Sequence, residues 1–289
     1  MKPPSYIQDR LRRIGKLPSE KIRLADTALF LAMAIDREKR VTPYMRHLKK
    51  LCFDVVSYIG PVQDSGNDNT SPTLDLRAEA LRQVLAKRFG YGLAPDSMGA
   101  LEASNFMHAI DTRSGSDSAL AILYIHVARS LGWPVCAINF PGRILVRLEK
   151  AADKFGERAI FDPGAGFKAC APQDLRQLLK ETQGEQAELS PAHYDVLDNR
   201  ALLLRLEGDI KSYLLEQDRF FDAADIIDIT LMLAPLETDL WHEAGHLHAR
   251  LDQVTEAIDA LEAFQRLNAG DEKRYRTSLL LQVLRGRLQ

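Results

Sequence analysis

One fourteen-residue run, Ser118–Leu131 (SALAILYIHVARSL), is apolar on nearly every face and so cannot be a surface helix. It predicts a helix enclosed on all sides, with Ser116, Asp117 or Ser118 as N-cap and Gly132 as its stop. Three strand-like runs follow. Val135–Phe140 (VCAINF) turns at Pro141-Gly142 into Arg143–Leu148 (RILVRL), and Arg158–Phe161 (RAIF) runs into Asp162-Pro163-Gly164. A buried helix feeding an antiparallel meander predicts an α+β core.

The flanks read as helical. Residues 20–59 hold two amphipathic stretches, Ile22–Asp36 and a second opened by Pro43 and closed at Gly60-Pro61. A polar loop, Gln63–Pro72, precedes a third helix (LDLRAEALRQVLAKRF) that stops at Gly90, and a short helix is expected around Leu101–Ile110. Beyond a polar stretch at Glu181–Pro191 the chain turns wholly helical and repeats itself. Setting Leu204–Glu237 over Thr238–Asp271 superposes Ala223 on Ala257, Ile227 on Leu261 and Leu233 on Leu267. That shift of 34 residues, with Trp241, Gly245, Ala257 and Phe264 at fixed offsets, is the tetratricopeptide pattern. Two units fall below the usual three, and the last segment (YRTSLLLQVLRGRLQ) is expected to cap the stack. The expected division is 1–195, a helical N-terminal region plus the α+β core, and 196–289, the repeats.

Composition excludes several classes. Three widely spaced cysteines, Cys52, Cys136 and Cys170, give neither a disulfide framework nor a four-cysteine zinc site. The N-terminal stretch lacks the apolar core of a signal peptide, and no window approaches a membrane span, so a cytoplasmic setting is expected. Residues 1–50 carry thirteen Lys/Arg against five Asp/Glu, while the remainder has ten acidic residues in excess. The basic segment is expected to pack on the chain's own acidic part. Nucleic acid is not the expected partner, because no aromatic-studded basic groove accompanies the charge.

The order helix N-terminus, second strand, third strand is the layout of a papain-like or transglutaminase-like nucleophile site. There a Cys opens the helix, a His on the second strand takes its proton and an Asp on the third orients that His. RSGSDSALAILYIHVARSLGWPVCAINFPGRILVRLE (Arg113–Glu149) followed by FDPGAG (Phe161–Gly166) resembles the bacterial SirB1-like proteins. The resemblance spans roughly residues 20–280 and implies a transglutaminase-like domain followed by tetratricopeptide repeats. Members typically read Arg-x-Gly-x-Pro-x-Ser-Leu, then Pro-Gly-His-Phe-Leu-Val-Arg, then Asp-Pro-Phe.

Position by position, the match removes the chemistry. The nucleophile position holds Asp117, the strand His is replaced by Arg143, and only Asp162 keeps its type. A guanidinium does not act as a base near neutral pH. Asp117 and Asp162 are therefore expected to bond Arg143 where a catalytic pair stands in active relatives, as three vestigial positions with no catalytic residue.

His242-Glu243-Ala244-Gly245-His246 satisfies the zincin pattern, but these residues fall inside the second repeat, so no metal and no cofactor are expected. In the repeat register His242, His246 and Arg250 face a concave surface and are the expected contacts for a protein or peptide partner. His108 and His126 read as packed or capping groups. The resulting expectation is a non-catalytic interaction or regulatory protein. The alternative is a hydrolase or acyl-transferase of the Cys-protease-like class, using Cys170, Ser116 or Ser118.

Overall fold

The computed structural model describes residues 3–60, 72–150, 156–267 and 271–287. Apart from Pro72, the polar loop expected at 63–72 lies outside them. Contacts divide the chain into two compact units, Ser19–Leu206 and Met1–Pro18 with Glu207–Gln289. The sequence-based division differs at its start, since it leaves residues 1–18 with the α+β part. Among the described residues no helix is long and apolar enough to cross a membrane.

The Ser19–Leu206 unit is α+β. Helices α2 (Leu24–Ile35) and α3 (Val41–Ile59) precede α4 (Leu74–Leu81), which passes into a π-helical stretch at Arg82–Arg88. A two-residue parallel ladder joins β1 (Gly92–Leu93) to β2 (Ser114–Gly115), with α5 (Ala100–Ala103) and α6 (Phe106–Thr112) between them. The enclosed helix is α7, Asp117–Ser130. The Ser116 hydroxyl accepts from Ala119 N at 3.3 Å, and the chain leaves through Gly132 at φ 74°. Residues Ala119–Ile125 of α7 are each at most 1% exposed, as its unbroken apolar pattern requires.

The sheet is antiparallel, in the order β6-β5-β4-β3-β7. Strands β3 (Val135–Phe140) and β4 (Arg143–Glu149) form a hairpin over Pro141-Gly142, with Gly142 at φ 73°. Strand β5 (Arg158–Asp162) pairs with β4, while β6 (Lys168–Ala169) and β7 (Val196–Leu197) are two-residue edges. Helix α8 (Pro172–Gln183) buries Leu175 and Leu179 against Ile138, Phe140 and Leu145. On the other face Tyr124 of α7 stacks on Phe167, centroids 4.3 Å apart, and Phe167 stacks on Phe161 of β5 at 4.7 Å. This triple stack ties the enclosed helix to both ends of the turn that carries Asp162.

The other unit is helical. Helix α1 (Ser5–Gly15) buries Ile7 and Leu11 and packs on α10 (Phe220–Leu233). A Cβ at Gly15 would meet the Met232 carbonyl and lie 3.2 Å from Pro235 Cδ, so only glycine permits that approach. Helix α9 (Asn199–Glu216), whose residues up to Leu206 belong to the α+β unit, precedes α10, followed by α11 (Thr238–Arg250), α12 (Val254–Leu267) and α13 (Asp271–Gly286). Helices α10 and α12 begin 34 residues apart. So do the turns before them, where Asp218 and Asp252 hold left-handed backbone at φ 55° and 61°. Arg219 N bonds Leu214 O at 2.9 Å and Gln253 N bonds His248 O at 3.0 Å, the same turn made twice.

Candidate functional site

Arg143 opens β4 opposite Phe140, and Asp162 closes β5 one step beyond the Phe161–Val146 pair. Extending that register sets Asp162 opposite Leu145. Arg143, two residues before Leu145, therefore lies on the same face as its diagonal neighbour. The geometry follows: Arg143 Nη1 donates to Asp162 Oδ2 at 2.8 Å. The Asp162 side chain is 5% exposed and that of Arg143 32%, so the carboxylate is buried while the guanidinium keeps some water.

The second Asp162 oxygen, Oδ1, accepts from Ala165 N at 3.1 Å and closes the turn after β5. Asp117 reaches the same turn from the start of α7. A Cβ built on Gly164 would sit 2.9 Å from Asp117 Oδ1 and 3.2 Å from Asp162 Oδ1. Both carboxylates thus border one glycine, and a bare backbone at 164 is what lets them converge. Of the two bonds expected at Arg143, the Asp162 bond is present. The contact that marks Asp117's position is its approach to Gly164.

The other nucleophile candidates are poorly disposed. Burial and the nearby Asp162 and Asp174 carboxylates push the Cys170 thiol up to about 11, and its sulfur lies 3.8 Å from the Lys168 carbonyl. A thiol so raised is protonated at neutral pH. Ser116 spends its hydroxyl oxygen on the α7 cap, and Ser118 is 1% exposed.

A constellation absent from the sequence reading lies just before α7. Arg113, at φ 62°, donates through Nη1 to Tyr91 Oη at 2.6 Å and to the Ile110 carbonyl, and lies 3.0 Å from His47 Nε2. His47 Nε2 is 2.8 Å from Tyr91 Oη. Burial, with Arg113 and Lys50 nearby, holds the imidazole down at about 4. It is neutral at pH 7 and accepts rather than donates at Nε2. Arg113 is the first residue of the stretch that carries the family resemblance. Its side-chain partners, His47 on α3 and Tyr91, are distant in sequence, however, so no local spacing announces them.

In the helical unit His242 Nε2 and His246 Nε2 lie 3.2 Å apart on α11, and the His242 ring packs against that of Phe264, centroids 4.8 Å apart. Arg250 stacks on Phe220, 3.6 Å from the ring centroid. Glu243 is held by Lys211 at 2.6 Å. The two imidazoles sit as a zinc pair requires, but among the described residues no group of three or more metal-ligating side chains forms. His248 is the buried imidazole of this unit. It lies 3.0 Å from Asp228 and 2.7 Å from Gln253, contacts that raise its pKa against the opposing effect of burial.

A buried helix capped at Ser116, a strand hairpin and an acid at the end of the third strand together define a transglutaminase-like core. The chain belongs to the transglutaminase-like superfamily, whose family model matches residues 43–208. Its relatives include SirB1 of Salmonella typhimurium, 25% identical over 64% of this chain and 69% of that protein. A UPF0162 protein of Xylella fastidiosa is 26% identical over 66% of this chain and 68% of its own length. The SirB1-like resemblance is thereby supported. Among solved structures a crystal structure of menin aligns over 96% of this chain and 74% of that one, with TM-score 0.35 and 13% identity. A likeness of that degree carries no argument.

Proposed function

We propose that this protein is a non-catalytic, cytoplasmic interaction or regulatory protein. Its transglutaminase-like domain is degenerate, and its helical unit is a pair of tetratricopeptide-type repeats that bind a protein or peptide partner. The Arg143–Asp162 ion pair carries the first half of the reading. It occupies the place where a base and its orienting acid belong, and a guanidinium has no proton-accepting nitrogen near neutral pH. With Asp117 at the helix start there is no thiol to activate.

The second half rests on the recurring 34-residue turn and on α11, which leaves His246 and Arg250 exposed. Stacked helix pairs present an extended concave face. His242, His246 and Arg250 are the contacts proposed there. Affinity capture with the full chain and with a His242→Ala, His246→Ala, Arg250→Ala variant tests this. The expected result is a partner retained by the former and lost by the latter, with unchanged thermal unfolding. Equal capture by both contradicts the assignment.

A further inference from the structure

The histidine pair on α11 has a geometry that the repeat register does not require. His242 and His246 are one helical turn apart, the spacing that sets two side chains beside each other on one face. Their Nε2 atoms converge to 3.2 Å at the protein surface. The buried ring of Phe264 backs the His242 imidazole and limits how it can turn.

Two nitrogens bound to one ion at about 2.0 Å lie about 3.3 Å apart in tetrahedral geometry and about 2.8 Å apart at a right angle. The observed separation falls inside that range, close to the tetrahedral value. Without an ion, the same approach is a hydrogen bond in which one Nε2 carries the hydrogen. An ion needs both lone pairs, so that hydrogen passes to Nδ1 of its own ring by exchange with water. Two Nε2–metal bonds form, and both imidazoles stay neutral.

The neighbouring carboxylates are already engaged. Lys211 holds Glu243 at 2.6 Å, and Lys273 holds Asp239, one turn before His242, at 2.8 Å. The Glu that activates water in a zincin is therefore committed elsewhere. What remains is a two-nitrogen chelate whose other positions go to water, which makes the ion exchangeable.

We propose that His242 and His246 form a surface site for a divalent transition-metal ion of the zinc, nickel or copper type. Membership of a repeat, on which the expectation of no metal rested, does not keep two imidazoles from chelating. The site goes beyond the partner contacts proposed for these side chains and does not rest on them, since the ion binds without a partner. Chelation needs the helical spacing, so the ion favours the folded chain and raises its thermal midpoint.

The test titrates the untagged, chelator-stripped full chain with zinc chloride in isothermal titration calorimetry. One ion per chain is expected. His242→Ala and His246→Ala are each expected to weaken binding about tenfold or more, with unchanged circular dichroism, because one imidazole gives no chelate. His246→Gln, a gentler exchange at the exposed position, is expected to weaken it equally, and His108→Ala to leave it alone. With copper(II), electron paramagnetic resonance is expected to show two nitrogen ligands in the wild type and one in His246→Ala. No saturable zinc binding overturns the proposal. So does binding that neither α11 variant weakens, which marks an adventitious ion held elsewhere, or a copper spectrum that His246→Ala leaves unchanged.

Discussion

Gly245 of α11 lies directly against Leu261 of α12: a Cβ built on it would be 2.5 Å from Leu261 Cγ and 3.3 Å from its backbone nitrogen. The two helices meet closely because position 245 carries no side chain. Gly245→Ala is expected to force them apart and destabilise the helical unit by roughly 1–3 kcal/mol, read as a lower urea midpoint. Gly208→Ala is the control. Its Cβ meets nothing within 4 Å, and the replacement favours helix. It is expected to leave the midpoint unchanged or raise it.

Arg143→Ala leaves the Asp162 carboxylate buried with only Ala165 N to satisfy it. The expected loss is about 3 kcal/mol, less where water reaches the vacated space. Arg143→Ala combined with Asp162→Ala is expected to cost less than the sum of the two single changes, since the unpaired carboxylate goes too. A chemical-denaturation double-mutant cycle checks the coupling.

The Tyr124 hydroxyl is fully buried and has no hydrogen-bond partner among the described residues, although its ring is stacked against Phe167. Tyr124→Phe keeps the stack and removes the unsatisfied group. Stability is expected to stay level or rise by about 1 kcal/mol in thermal unfolding. Phe167→Ala, by contrast, opens the stack on both sides and is expected to cost about 4 kcal/mol.

Glu207 of α9 is 1% exposed, and burial pushes its carboxyl from 4.5 up to about 8. A folded pKa above the unfolded one means that the folded state holds a proton the unfolded chain has released. Stability from this group is complete below about pH 4.5, falls as pH rises, and is exhausted above about pH 8. Glu207→Gln is expected to match the wild type near pH 4.5 and exceed its stability at pH 8 by up to about 4 kcal/mol. Urea titrations across that range give the comparison.

Much of this architecture can be read from residues alone, for reasons visible in particular elements. The enclosed α7 follows from an apolar run too uniform for a surface, and β3 and β4 from alternation closed by Pro141-Gly142. Recurrence at 34 residues marks α10 and α12 because each repeat must meet its neighbour with the same small and large side chains. Helix α1 is missed: it carries three arginines and only a thin stripe of Ile7, Leu11 and Ile14, and it gains its packing from α10, more than two hundred residues away. Helix α8 does carry a signal, Pro172 in its first turn with Asp174 accepting from Ala171 N at 2.8 Å, ahead of Leu175, Leu178 and Leu179. Strands β6 and β7 are two residues long and set by backbone pairing, so no side-chain pattern betrays them.

Of the candidate site, the residue types at 117, 143 and 162 are legible, and the Arg143–Asp162 bond follows from strand register. The role of Gly164 is not, since a missing side chain matters only once two carboxylates converge on it. The same holds for His47, Tyr91 and Arg113, whose meeting depends on tertiary structure. Among the described residues, Lys39 of the basic N-terminal segment pairs at long range with Asp111 at 2.9 Å, a carboxylate that Tyr44 shares. Lys50 instead pairs locally with Asp54.

Chemical silence of the Asp117–Arg143–Asp162 region is the claim on which the functional account turns. Intact-mass spectrometry of the wild-type chain, incubated at pH 7 with a fluorophosphonate and with a peptidyl vinyl sulfone, measures it directly. The account predicts no stoichiometric adduct at Ser116, Ser118 or Cys170. One adduct per chain on any of the three, abolished when that residue is substituted, would show a working nucleophile and contradict it.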